Sequence, residues 1–262
     1  MPARDAIRKD RRNDDQIRLR LAARRTCPAI VGSMSRSVVL KGTVRCPRCQ
    51  QSPRWCICAG LRIVETPLAV DVLMHHEEVL KPTSTGHLIQ RTLPASRRHI
   101  FQSDSPFDPS ALHRPDRELW ILHPSGEAIP EAPDPARIQV LLIDGSWAQA
   151  GDMARTIDRW GRRVNLPMTG KSRYWLRSQQ DIPGRFSTVE ALLFLMQALG
   201  LNADADTLRL QFELHVYAGL RTRGRLVEAE AYLADSPIRD AFPELLADLN
   251  RRRPRPPRAN AS

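Results

Sequence analysis

The sequence predicts an α/β protein with a mainly parallel sheet, a metal-binding element near the N-terminus and a helical last third. Three observations carry this expectation. Short apolar runs alternate with segments of helical spacing from about residue 68 to 166, the pattern of a parallel sheet covered on both faces. The run Val140-Leu141-Leu142-Ile143 reads as a buried strand that delivers Asp144, Gly145, Ser146 and Trp147 onto one loop edge. Open α/β sheets do their chemistry at such edges, although strand-Asp-Gly is also a common turn. From Ser187 onward the spacing is helical throughout.

Taken in order, residues 1–40 read as a flexible basic arm, with Arg4, Arg8, Lys9, Arg11, Arg12, Arg18, Arg20, Arg24 and Arg25 mixed with aspartates and few apolar anchors. Met34 offers an alternative start, and the acidic residues argue against a signal peptide. A four-cysteine element is expected over 41–62, the main domain over 63–250 and a basic disordered tail over 251–262, where prolines cannot continue a helix. Strands are expected at Leu68–Met74, Arg98–Gln102, Glu118–Leu122, Gln139–Ile143 and Val164–Leu166. Thr83-Ser84-Thr85-Gly86 is a plausible start for the helix containing Leu88–Leu93, because hydroxyls cap helices and the free amides there can hold an anion. A helix from Trp147 follows from the spacing of Ala148, Ala150, Met153, Ala154, Ile157 and Trp160. Further helices are expected over Val189–Leu199, Leu208–Leu220 and Pro237–Leu249.

The 42% hydrophobic and 26% charged residues are ordinary for a globular chain, and no apolar run approaches the length of a membrane span. The formal charge of +11 is not ordinary, and such an excess attracts polyanions, nucleic acid first. A solvated basic protein, or the codon bias of a GC-rich genome, is the bland alternative.

Four of the five cysteines form Cys46-Pro-Arg-Cys49 and Cys56-Ile-Cys58. Two close thiolate pairs on either side of a short loop can converge on one tetrahedral ion, and four ligands leave no open position, so a structural Zn2+ is expected. A redox pair and an iron-sulfur site are the alternatives. With no secretory signal, a reducing, cytoplasmic setting fits better than a disulfide framework, and Cys27 stands apart. Arg45, Arg48, Arg54 and Trp55, interleaved with the cysteines, suit either a knuckle that touches RNA or a purely structural knob.

Five blocks in register resemble the DTW-domain proteins, the tRNA-uridine aminocarboxypropyltransferases. They are the four cysteines; Glu78-Val-Leu-Lys81-Pro-Thr-Ser-Thr85-Gly86; Asp144-Gly-Ser146-Trp147; Tyr174-Trp-Leu-Arg177; and Ser187-Thr188-Val-Glu190-Ala191. The likeness runs from about Arg45 to Tyr217. It implies a SPOUT-like α/β fold whose knotted region binds S-adenosylmethionine, and transfer of the 3-amino-3-carboxypropyl group from that co-substrate to N3 of a tRNA uridine, leaving methylthioadenosine. The chain departs from the family pattern at three places. Ser146 replaces Thr and keeps the hydroxyl; Ser84 stands where Asn is usual; and His76-Glu77 follows His75 where Pro-Arg is typical, which removes a positive charge.

Alkylation at uracil N3 needs the proton removed and the donor carbon oriented. Asp144 is the candidate base, or a ligand of the co-substrate's ammonium, or a turn-holding aspartate. Trp147 can stack on adenine or on a flipped uracil, or pack at the helix start. Ser146 can contact the donor's amino-acid end while capping the following helix. Lys81, Thr85 and Gly86 suit an anion, either the co-substrate carboxylate or an RNA phosphate, and Glu78 suits an ammonium or a ribose. Arg173, Tyr174 and Arg177 have the composition of an RNA contact, against the alternative of a solvated surface. Ser187, Thr188 and Glu190 read first as a helix cap, and the resemblance adds them to the co-substrate site. The partner implied is tRNA; nothing in the sequence indicates an obligate protein partner. Rival functions are an S-adenosylmethionine-dependent RNA methyltransferase, modification of ribosomal RNA, and a zinc-stabilised RNA-binding protein without catalysis.

Overall fold

The structure, a computed structural model, describes residues 44–105, 107–176 and 184–251. The basic arm, Cys27, Met34, Arg177 and the tail beyond residue 251 lie outside the described residues. Five strands form one parallel sheet: β1 (Ala69–His75), β2 (Arg97–Phe101), β3 (Glu118–Ala128), β4 (Ile138–Asp144) and β5 (Arg162–Asn165), in the order β2-β1-β4-β3-β5. All seven residues of β1 and six of seven in β4 are buried. That is why the two strands read as mostly apolar runs rather than alternating ones, with Asp71 and Gln139 as buried polar exceptions that bond each other.

Helix α1 (Thr85–Thr92) links β1 to β2, and α2 (Trp147–Thr156) follows β4. One face of the sheet packs Leu73, Phe101, Ile121 and Leu141 against Met153 and Ile157 from the α2 region. The other face, through Val70, Val72, Met74, Val140 and Leu142, meets a helical layer made of α1, α3 (Thr188–Ala198) and α4 (Asn202–Thr222). Helices α5 (Leu226–Ala234), α6 (Ile238–Ala241) and α7 (Pro243–Asn250) close over α4. Residues 211–220 of α4 are all buried, Gln211, Glu213 and His215 included, so this helix lacks a solvent face there.

The four-cysteine element joins the same core. Cys46, Cys49 and Ile57 are buried in it, Gln211 of α4 donates to the Gly60 carbonyl at 2.9 Å, and a side chain on Gly60 would meet Leu245 at 2.6 Å.

Three elements differ from expectation. Strand β3 runs six residues past Leu122 because its pairing with β5 shifts register between Leu122 and Glu127, absorbing Pro124 in an irregular stretch. Helix α5 escaped the sequence pattern because Leu226 and Val227 face solvent and only Ala229 and Tyr232 are buried. The segment expected as one final helix is two, broken at Phe242, because Pro243 has no N–H and starts a new helix at its first position.

Candidate active site

Strands β1 and β4 are neighbours, yet the chain leaves β1 toward β2 on one side, while β3 and β5 lie on the other side of β4. Connections that diverge in this way open a crevice beyond the carboxyl ends of the two strands. Met74 pairs in register with Asp144, so the crevice floor is the end of β4. A cavity of about 850 Å³ occupies it. Its walls come from Glu78 to Thr85 after β1, Leu122 to Pro124 at the irregularity of β3, Asp144 to Trp147, Asn165 to Met168 after β5, Tyr174 and Leu176, and Gly184 to Thr188 before α3.

Asp144 is the best-held group in the cavity. It is 5% exposed; Ser84 donates to its Oδ2 at 2.6 Å and Thr188 to its Oδ1 at 2.6 Å. These hydroxyls belong to the starts of α1 and α3, so one carboxylate ties both helices to the end of β4. Gly86 makes room for it, since a Cβ there would stand 2.7 Å from Oδ2. Ser146 caps α2: its Oγ accepts from Gln149 N at 3.3 Å while Gln149 Oε1 accepts from Ser146 N at 2.8 Å, leaving the Ser146 hydroxyl proton available to a ligand.

At the mouth, Trp147 is 47% exposed and the Arg185 guanidinium lies 5.4 Å from its ring centroid. Lys81 donates to Glu78 Oε1 at 2.6 Å, which puts a cation and an anion side by side in the wall. Tyr174 closes the opposite side by donating to the Thr83 carbonyl at 2.5 Å.

The order of these blocks along the chain decides the family. The DTW domain family matches residues 43–218. The chain belongs to this family. No solved structure matches it.

In this DTW domain the structure brings together Asp144, Ser146, Trp147, Glu78, Lys81, Thr85, Tyr174, Ser187 and Thr188 around one cavity. Gly86 sits directly behind Asp144. Glu190 and Arg173 do not face the cavity. Glu190 is buried, completes the α3 capping box with Ser187, and accepts from Ser172 Oγ and from Arg173 N at 2.6 Å, so it anchors the strap that carries Tyr174. Arg173 pairs with buried Glu213 at 3.0 Å and donates to the Tyr232 carbonyl at 3.2 Å, with its guanidinium 4.1 Å from the Tyr232 ring centroid. Its charge is used internally. The sequence reasoning passed over His123, Asn165, Met168 and Arg185. Asn165 ends β5 and Met168 follows it, so the rule that selected Asp144 also points to them, whereas His123 enters through the irregularity within β3.

The four cysteine sulfurs all lie within 4.8 Å of one another, with Cys46 to Cys58 at 3.5 Å and Cys49 to Cys56 at 3.8 Å. Four thiolates around Zn2+ at about 2.3 Å stand about 3.8 Å apart, so the set fits that ion. A second observation agrees. Arg91 of α1 bonds the Cys49 carbonyl at 3.4 Å, its Nη2 is buried without a partner, and among the described residues it pairs with no carboxylate. A tetrathiolate zinc centre would carry net negative charge and would supply the counter-charge this guanidinium lacks. Crowding also couples the thiols: hydrogen bonds from Cys56 and Cys58 hold Cys49 far below the usual thiol range, and the bond to Cys49 pushes Cys56 up to about 12. Trp55 is occupied structurally, with the guanidiniums of Arg54 and Arg221 each 4.5 Å from its ring centroid.

Proposed function

We propose that this protein transfers the 3-amino-3-carboxypropyl group from S-adenosylmethionine to N3 of a uridine in tRNA, giving 3-(3-amino-3-carboxypropyl)uridine and methylthioadenosine. The observation that carries the reading is one cavity holding two complementary features: the Glu78–Lys81 ion pair, which matches a zwitterionic amino-acid end, and a fixed carboxylate beneath an exposed indole. Membership of the DTW domain family supports it. The net charge of +11 suits a tRNA partner.

In the reaction, uridine N3 gives its proton to water at the cavity mouth as it bonds to the donor carbon next to the sulfonium. The carbon–sulfur bond breaks, and its electron pair stays on sulfur, giving the neutral thioether. Lys81 takes the donor carboxylate and Glu78 its ammonium, with the Ser146 hydroxyl as a further donor. Asp144 places a carboxyl group near the sulfonium, where a preorganised acceptor needs no reorganisation as the reaction proceeds. Trp147 offers a face on which the extruded uracil stacks. Cys46, Cys49, Cys56 and Cys58 hold a structural Zn2+ that braces the fold and takes no part in the chemistry. The same reading includes a knotted, SPOUT-like path around the donor site and a cytoplasmic setting.

Nucleoside mass spectrometry of unmodified tRNA incubated with the purified protein and S-adenosylmethionine tests the proposal. The expected products are the aminocarboxypropyl uridine and methylthioadenosine in equal amounts. A methylated nucleoside with S-adenosylhomocysteine would make the protein a methyltransferase. Retarded tRNA with no co-substrate consumed would make it a binding module, and product on ribosomal RNA alone would move the substrate.

A further inference from the structure

Beside the pocket, three arginines meet where the four-cysteine element touches the end of α4. Arg45 donates from Nη1 to the Gln50 carbonyl at 2.9 Å, and its Nε is buried with no partner. Arg223, exposed just past α4, donates from Nη1 to the Gly219 carbonyl at 3.0 Å. Arg225 donates from Nη1 to the Trp175 carbonyl at 2.7 Å and reaches Glu228 at 3.1 Å. Nearby arginines are neutralised, Arg173 by Glu213 and Arg221 by Glu230. Among the described residues, Arg45 and Arg223 have no carboxylate partner. Burial, and then the charge of Arg223, hold Arg45 below the usual guanidinium value. Thr222, next to Arg223, donates to Gln51 Oε1 at 3.3 Å, and the Gln51 carbonyl accepts from Cys46 N, next to Arg45, at 2.8 Å, so like charges flank one seam, an arrangement stabilised by a bound polyanion.

The position of the cluster identifies the anion. Arg223 and Leu176 both crowd Gly219, where a Cβ would stand 3.4 Å from Arg223 Nη1 and 2.7 Å from Leu176, and Arg225 holds the Trp175 carbonyl; Tyr174 and Leu176 on this strap both line the cavity. A strand that delivers one base into the cavity carries its neighbouring phosphates across this strap. Guanidinium forks suit phosphate oxygens, and the strap's aromatic residues suit unstacked bases.

We propose that Arg45, Arg223 and Arg225 form a clamp for the phosphodiester backbone of the RNA strand whose base enters the cavity. The inference rests on the RNA-directed reading of that cavity.

The test is tRNA binding measured against salt concentration, without S-adenosylmethionine, for the full chain and for an Arg45→Gln/Arg223→Gln variant. Two lost phosphate contacts should weaken binding at least about tenfold and reduce the slope of log K against log salt by about 1.4 to 1.8. Arg45→Lys/Arg223→Lys should recover most of that slope, because charge alone sets it. S-adenosylmethionine affinity, read by calorimetry, should be unchanged, as neither residue lines the cavity, and it verifies the fold of each variant. Inorganic phosphate should compete only weakly, because a single anion does not span the cluster. An unchanged salt slope in the Gln variant overturns the clamp, as does loss of poly-glutamate binding with tRNA binding intact, which would assign the cluster to an acidic protein. Because no turnover is measured, an inactive but tRNA-binding protein would count against the transferase reading and leave the clamp standing.

Discussion

The carboxylate of Asp144 is held from two helices that are far apart in sequence: Ser84 lies 60 residues before it and Thr188 44 residues after it. Both hydroxyls donate, so the arrangement requires an acceptor at each oxygen. Asp144→Asn presents an NH2 to one of them and leaves a buried hydroxyl without an acceptor, an expected loss of about 1–3 kcal/mol in denaturant unfolding, together with loss of transfer. A variant as stable as the parent would mean that the two helix starts do not depend on this group. Gly86→Ala should reproduce part of the effect by pushing on Oδ2. A second buried group sets acid stability. His215 is driven down to about 3, first by burial and then by the charge of Arg91, and shares a 3.3 Å contact with Gln51. It stays neutral when folded, whereas in the unfolded chain it takes a proton below about pH 6.5. Its contribution is therefore complete above that pH and is lost as pH falls toward 3. The melting temperature should drop between about pH 6.5 and pH 4, less steeply in His215→Gln; equal slopes in the two proteins would remove His215 from the account.

At the scale of elements, the central strands were legible because a parallel strand buried on both faces must be mostly apolar along its length, as Val70, Val72, Val140 and Leu142 are. The cavity floor was legible for a related reason: Asp144 ends such a strand. Its walls were not. Leu122 to Pro124 and Asn165 to Met168 line the cavity through an irregular strand pairing and a loop, and neither leaves a periodic trace. Arg173 was misleading because composition records a cation but not the buried Glu213 that faces it. The four-cysteine element and the cavity are joined through α1, whose first turn carries Ser84 at its cap and whose last turn carries Arg91 beside Cys49. Cys46→Ser should lower bound zinc from near one per chain and lower the melting temperature, since an open tetrahedron leaves the Arg91 charge unmatched. Unchanged zinc content would sink the four-thiolate assignment. Chelation of the intact protein should speed amide exchange in α1 before that in β4.

For the whole molecule, the family match ends at residue 218, but the folding unit does not. Helix α4 continues to Thr222, and Ala229, Tyr232, Ile238, Phe242, Leu245, Leu246 and Leu249 complete the core around its buried side. Each large apolar side chain buried there contributes about 1.5–3 kcal/mol, so together they rival the entire 5–15 kcal/mol margin typical of a domain. The same segment reaches the chemistry. Arg173 is fixed to the Tyr232 carbonyl and to Glu213, and the next residue, Tyr174, closes the cavity on Thr83. A chain ended after Thr222 should therefore lose cooperative unfolding and the donor site together, even though it retains every matched residue. Its calorimetric melt and its S-adenosylmethionine binding are the readouts. A sharp melt with weakened binding would show that α5 to α7 only brace the cavity wall, and a sharp melt with full binding would show that α4 is stable with one side bare. The first outcome would still leave Arg173 as the link from the C-terminal helices to the site, which Tyr232→Phe should preserve because the bond is made by the backbone carbonyl and not by the phenol.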